Sequence, residues 1–153
     1  MGNLHYTFMS IMSVFVLFGC SQKFDNMSVQ VPFDHFSLSG TGYEWKEVTY
    51  PHDYEVAIIN SLEELENYII CTEKRNIPIP IDFSQHTLLL ARGVELYNNR
   101  ATTTDLQQFP NRILVMKVDL ISSLATVITN WQVAIIIEKL EAGDKVQLCI
   151  QNK

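Results

Sequence analysis

The sequence predicts a mainly β domain with one helix, and three observations support this prediction. Short apolar or alternating segments recur with turn residues about every ten positions, a spacing typical of β sandwiches and small barrels. Only one segment combines helical periodicity with capping residues. The 153 residues contain no internal repeat and no low-complexity tract. We therefore expect an antiparallel sandwich or a small open barrel with a single helix near residues 61–70.

The strand candidates differ in their alternation, which predicts where each lies in a sheet. Residues 86–91 are nearly all apolar, as is typical of a central strand buried on both faces. Residues 112–120 instead alternate, so their apolar side chains share one face and their charged side chains the other. The remaining candidates are residues 42–50, 54–60, 102–109, 126–138 and 145–150.

The helix is predicted from its first turn and from one apolar face. Ser61 and Glu64 have the spacing of a capping box, and acidic residues in the first turn favour the helix dipole. Leu62, Leu65 and Ile69 share one face.

The N-terminus contains an apolar run that ends in Leu17-Phe18-Gly19-Cys20, which resembles a bacterial lipobox. The run is shorter than the roughly 20 apolar residues that a membrane-spanning helix needs, and it fits the core of a signal peptide. Two alternatives stay open, a secretory signal with a cysteine there by chance and an uncut membrane anchor. No Lys or Arg precedes Cys20.

The lipobox divides the chain into three parts. We predict a lipoprotein signal peptide over residues 1–19, a lipidated N-terminus and tether over 20–42, and a single β-rich domain over 43–153. Cys20 is the predicted lipidation site, through a thioether and an acylated amine. Two or more acyl chains give stable anchoring. The predicted location is the bacterial cell envelope, at the outer membrane, with the periplasmic or surface face left open.

The charge of the chain excludes one class of partner. Its net charge is −6, and all of its Lys, Arg, Asp and Glu residues follow Cys20. Binding to nucleic acid depends on Lys and Arg that neutralise phosphates, so we predict no nucleic-acid partner. Electrostatic docking on anionic lipid is disfavoured for the same reason.

Cys71 and Cys149 are the cysteines left if Cys20 takes lipid. A disulfide between them is possible in an oxidising compartment. Cys149, however, alternates with the apolar Leu148 and Ile150 and so lies on the polar face of its strand. Two separate residues are the favoured interpretation.

No pattern of catalysis or metal binding stands out, and we predict no enzyme activity, no metal and no cofactor. The histidines after Cys20 are isolated from one another and from other ligand types: His35, His52 and His86. Cys71 with His86 is a conceivable catalytic pair, but a helix C-terminus before Cys71 does not lower a thiol pKa.

The predicted partner-binding residues lie in a polar loop and on one strand. Loops on a rigid scaffold often carry recognition, which favours Tyr97, Asn98, Asn99 and Arg100. Trp131, at the start of a long strand, is added because aromatic side chains contribute strongly to interfaces.

Several segments over residues 56–150 resemble known proteins. Ile81-Asp82-Phe83-Ser84 before Thr87-Leu88-Leu89-Leu90, and the run from Trp131 to Leu140, resemble small Bacteroidetes lipoproteins of uncharacterised function. The Asp82-Phe83-Ser84 entry to the strand is also loosely similar to the C-terminal domain of PrcB-type subunits of a spirochaete protease complex. This chain has Asn98-Asn99-Arg100 where that group has a glycine-rich turn, and neither resemblance implies a catalytic residue.

Three functions follow as hypotheses. The first is a lipid-anchored, non-enzymatic cell-envelope protein that binds a protein or peptide partner. The second is a peptidase inhibitor or protease-accessory protein, which would insert residues 95–104 or the segment with Pro78 and Pro80 into a protease cleft. The third is a glycan or small-ligand binding module with Trp45 and Trp131 as stacking platforms.

Overall fold

Ten strands and one short helix make up the computed structural model, which describes residues 28–48, 54–73, 77–95, 100–121 and 128–153. In chain order they are β1 (Val29–Gln30), β2 (Asp34–Phe36), β3 (Tyr43–Trp45), β4 (Tyr54–Ile59), α1 (Leu62–Glu66), β5 (Ile69–Cys71), β6 (His86–Glu95), β7 (Arg100–Phe109), β8 (Ile113–Ile121), β9 (Thr129–Glu138) and β10 (Lys145–Asn152). No helix in these ranges has the length and apolar character that a membrane crossing requires.

Two four-stranded sheets form a sandwich. The outer sheet has the order β1-β7-β8-β10 and the central sheet has the order β2-β9-β6-β4; neither closes into a barrel. The prediction of a mainly β fold with one helix is therefore confirmed, in its sandwich form. One pairing departs from the antiparallel expectation, because β10 lies parallel to β8.

The core between the sheets follows the period of two that strands impose on their side chains. Even-numbered residues of β8 point inward and are almost completely buried, as are alternate residues of β6 and β9. Large side chains among them are Leu89, Leu114, Met116, Leu120, Trp131, Ile135 and Ile137.

A third layer covers the other face of the central sheet. This cover consists of α1 and of the two-stranded sheet β3-β5. Leu88 and Leu90 of β6 pack there in a second core with Leu65 and Ile69 of the cover. β6 is thus flanked by β4 and β9 and buried on both faces, as its apolar sequence predicts.

The helix is shorter than the predicted 61–70. It ends at Glu66, and Ile69–Cys71 form β5, which pairs with β3 in the register Trp45↔Ile69. Ile69 is buried in this arrangement, and the pairing also gives the backbone of Tyr43–Trp45 hydrogen-bond partners that a longer helix could not supply. Leu62 is 51% exposed, so the apolar face of the helix reduces to Leu65.

Loss of the helix cap is expected to cost about 1 kcal/mol of unfolding free energy. The Ser61 hydroxyl accepts a bond from the Glu64 amide at 3.1 Å, while the Glu64 carboxylate accepts one from the Asn60 amide at 2.6 Å. Urea denaturation of Ser61→Ala measures the loss. Ser61→Asp is the matched control, since aspartate caps equally well, and equal stability of all three proteins would contradict this role.

The predicted tether over 20–42 is partly wrong, because its described residues belong to the domain. β1 pairs with Gln107 and Gln108 of β7, and β2 pairs with β9. Leu38 is 5% exposed within the second core. Strands of two and three residues have no alternation long enough to detect in a sequence, so the predicted boundary at residue 43 came too late. Cys20 lies outside the described residues.

Candidate functional site

A cleft of about 510 Å³ opens where the cover meets one end of the central sheet. One wall is β3 with the residues that follow it, Lys46 to Val48. The floor comes from the central sheet, with Arg92 of β6 and with Asn130 and Gln132 of β9. The cleft is therefore formed by segments distant in sequence that the two cores hold together.

The floor is polar because the cover face of the central sheet changes character along its strands. Leu88 and Leu90 share that face of β6 with Arg92, and the register pairs Arg92 with Gln132. On this face of the central sheet, the side chains under the cover are therefore apolar, and those beyond the cover are polar. The sequence signal was present, since Arg92 interrupts an apolar strand, yet the sequence-based prediction missed Arg92, Asn130 and Gln132.

Arg92 is locked in place by the groups around it. Its Nε and Nη2 atoms lie 2.9 and 2.8 Å from Glu55 Oε2, and Nη1 donates to the Lys46 carbonyl oxygen at 3.2 Å. The guanidinium carbon lies 4.9 Å from the centre of the Tyr68 ring, within the range of a cation–π contact. With its side chain only 15% exposed, Arg92 stabilises the cleft and has its charge balanced by Glu55.

The same cluster changes the acidity of Tyr68. Burial raises the pKa of its hydroxyl above the ordinary 10.0, and the neighbouring Glu55 carboxylate raises this pKa further. Arg92 acts in the opposite direction and lowers it. Tyr68 is therefore a neutral hydrogen-bonding group at physiological pH.

The second cation of the cleft is also engaged. Lys46 Nζ donates to the carbonyl oxygens of Glu66 and Asn67, at 3.0 and 2.9 Å, and so satisfies acceptors at the end of α1. Glu44, Glu47 and Glu73, in contrast, lie exposed along the cleft. The lining therefore presents negative charge to solvent.

Trp45 supplies the aromatic surface of the cleft. Its ring is partly buried and packs edge-to-face on Phe36, with the ring centres 6.2 Å apart at 78°. A second, shallower depression of about 230 Å³ is also lined by Trp45 and shares Ser37 and Gln132 with the cleft. Asn130 fixes the far wall, because its Oδ1 accepts a bond from the Val48 amide at 3.0 Å.

Trp131 borders the cleft between Asn130 and Gln132, but its side chain belongs to the core. It is 3% exposed, belongs to the core between the sheets, and packs against Tyr54 with ring centres 5.9 Å apart. Its period-two position explains this, since Trp131 faces the outer sheet while its neighbours Asn130 and Gln132 face the cleft. Trp45 and Trp131 therefore do not form a pair of stacking platforms.

The remaining predicted contact residues fall in one loop. Tyr97, Asn98 and Asn99 lie outside the described residues, and Arg100 is the first residue of β7. The described lining of the cleft comes from other segments.

The structure does not join Cys71 to Cys149, the pairing that the sequence left open as the less favoured alternative. The Cys71 thiol is exposed on β5 and donates to the Glu73 carbonyl oxygen at 3.0 Å. Cys149 lies on β10 in the outer sheet and is 8% exposed. The two residues occupy strands of different sheets, which the sequence spacing could not show.

Within the described ranges, no group of three or more His, Cys, Asp and Glu residues has an arrangement that could hold a metal ion. No protein-family model, curated protein or solved structure matches this chain.

Proposed function

We propose that this protein is a lipid-anchored, non-enzymatic component of the bacterial cell envelope that binds a protein or peptide partner through the cleft. The observation that carries the proposal is the cleft itself, with Trp45 and a polar floor held in place by internal hydrogen bonds. A preformed site of this kind binds at a low entropic cost, because its side chains are already ordered.

The size of the cleft favours a short segment of a larger partner. Ligand sites commonly measure about 300–1,000 Å³, whereas a complete protein interface buries about 800 Å² on each side. At about 510 Å³ the cleft can seat a few residues of a chain. The rest of a protein partner would contact the surrounding surface.

The chemistry of the described lining supports binding rather than catalysis. Arg92 is paired with Glu55, and Lys46 with the end of α1, so neither is available to stabilise a developing charge. The described cleft residues also contain no pairing of a Ser or Cys nucleophile with a histidine base.

A glycan or small polar ligand is the second candidate. Trp45 next to the exposed amide of Gln132 favours it, because sugars combine stacking on an aromatic ring with hydrogen bonds to amides. Only one indole is available, since Trp131 is buried.

Site-specific cross-linking in cells tests the partner. A photoreactive residue at the exposed Glu47, on the cleft, is expected to capture an envelope protein or peptide. The same residue at Glu63, exposed on α1, is the matched control, and Trp45→Ala in the Glu47 protein should reduce the adduct. Capture equal at both positions, or none at Glu47, would contradict the proposal; a glycan adduct would select the second candidate.

The anchor is tested separately at Cys20. Labelled palmitate should enter the parent protein and not Cys20→Ala, and the mature N-terminal peptide should carry the lipid mass. A cysteine sulfur in a lipid thioether cannot also join a disulfide. Recovery of a Cys20 peptide disulfide-linked to the Cys149 peptide would therefore refute lipidation.

A further inference from the structure

One edge of the central sheet is left open beside the cleft. β9 runs from Thr129 to Glu138, but β2 covers only Ala134 to Ile136 on that side. No strand in the described ranges pairs with this edge at residues 130–133. This open edge is four residues long, or about 14 Å, and it presents backbone donors and acceptors to another strand.

After β2 the chain turns away from this edge, because the residues that follow pack in the second core and in the turn toward β3. Leu38 enters the second core, and the Thr41 hydroxyl and amide both donate to the Leu38 carbonyl oxygen, at 2.6 and 3.1 Å. Gly40 and Gly42 adopt φ of 78°, which closes the turn toward β3. The place that β2 would occupy if it continued along β9 is thereby vacated.

The vacated place is a groove rather than a flat edge. The cleft and the shallower depression adjoin at Ser37, Trp45 and Gln132. Ala101 and Thr102 of β7 also line the depression. An extended chain lying in this groove would have the β9 edge on one side and the Trp45 ring beside it.

The charge of the groove specifies the occupant further. Glu44, Glu47 and Glu73 are exposed there, while Lys46 and Arg92 are already engaged. The whole chain carries a net charge of −6, so no distant excess of positive charge opposes a cation.

We propose that the partner contributes an extended segment bearing Lys or Arg, which adds as a strand along residues 130–133 of β9, in line with β2. Backbone hydrogen bonds supply the affinity in this mode, and alternate side chains supply the selectivity. The inference rests on the proposed function, because it names the class of segment that the same cleft takes.

Synthetic peptides test strand addition on the full-length lipidated protein in detergent. The probe is an acetylated ten-residue peptide alternating lysine with valine, measured by calorimetry. In two further versions of the peptide, the backbone nitrogens of either the odd or the even residues are methylated. Each version loses the hydrogen-bond donors along one edge of the added strand, and the two versions lose them along opposite edges. Only one of the two is expected to lose binding, because only one edge faces β9. Equal binding of both versions and the parent, or no binding of the parent, would overturn strand addition.

Charge is tested on both partners. The peptide with glutamate in place of lysine should not bind. Replacing Glu44, Glu47 and Glu73 together with glutamine should weaken binding of the lysine peptide about tenfold. The three are replaced together because exposed ion pairs are individually weak. Glutamine at the exposed Glu63, Glu66 and Glu138 is the matched control. Unchanged affinity in the first triple variant would overturn the requirement for a cation.

The two proposals can fail independently. Capture of a partner from Glu47 in cells, together with peptides that bind without regard to N-methylation or charge, keeps the cleft as a binding site and removes strand addition. Failure to capture any partner from Glu47 removes the proposed function itself.

Discussion

Replacing Trp131 with alanine is expected to lower the free energy of unfolding by about 3–5 kcal/mol, the range measured for large aromatic side chains in protein cores. The indole is 3% exposed and lies between the sheets against Tyr54, so its removal leaves a cavity that β-sheet backbone cannot easily fill. Urea denaturation should show a lower midpoint with an unchanged slope.

Trp131→Phe separates packing from hydrogen bonding. The Trp131 Nε1 atom is buried and has no hydrogen-bond partner among the described residues, so phenylalanine loses no hydrogen bond and refills part of the space. We therefore expect a clearly smaller loss than in Trp131→Ala. A loss under about 1 kcal/mol in Trp131→Ala would show that the ring is not a core element.

Trp45→Ala provides the functional contrast. Its ring is only partly buried and lies on the cleft, so partner capture should fall more than stability does. Trp131→Ala, compared under conditions in which it stays folded, should retain capture. The two tryptophans, which the sequence offers as equivalent candidates, thus have different roles.

The sequence predicts those parts of the fold that depend on local patterns. The apolar run of β6 places it in the centre of a sheet, and Ser61 with Glu64 marks the start of the helix. The end of the helix depends on a long-range pairing, Ile69 with Trp45, which no local pattern contains. The same holds for β2, whose three residues are ordered by β9, about one hundred positions away.

The polar floor of the cleft could not be predicted from the sequence, for a related reason. Loop position and aromatic character pointed to residues 97–100, of which 97–99 lie outside the described residues, and to Trp131, which borders the cleft but has its ring in the core. The floor forms where polar residues follow apolar ones on the same face of β6 and β9. Recognising it requires the register that pairs Arg92 with Gln132, and register is a property of the assembled sheet.

Replacing Arg92 with methionine is expected to cost about 1–2 kcal/mol of stability and to raise the pKa of Tyr68 further. The stability loss stays moderate because Glu55 is 41% exposed and can be rehydrated once its partner is gone. The pKa rises because Arg92 lowers it in the parent protein, while burial and Glu55, which raise it, both remain.

Glu55→Gln gives the opposite sign and completes a double-mutant cycle. Without the carboxylate, the pKa of Tyr68 should fall below that of the parent, because burial is then opposed by Arg92 alone among the nearest groups. Titration of tyrosine labelled with ¹³C at Cζ, followed by NMR, measures both shifts. The sum of the stability losses in the two single variants should exceed the loss in the double variant, because both single variants remove the same ion pair. A pKa that falls in Arg92→Met, or strictly additive stabilities, would show that Arg92, Glu55 and Tyr68 do not act as one cluster behind the cleft.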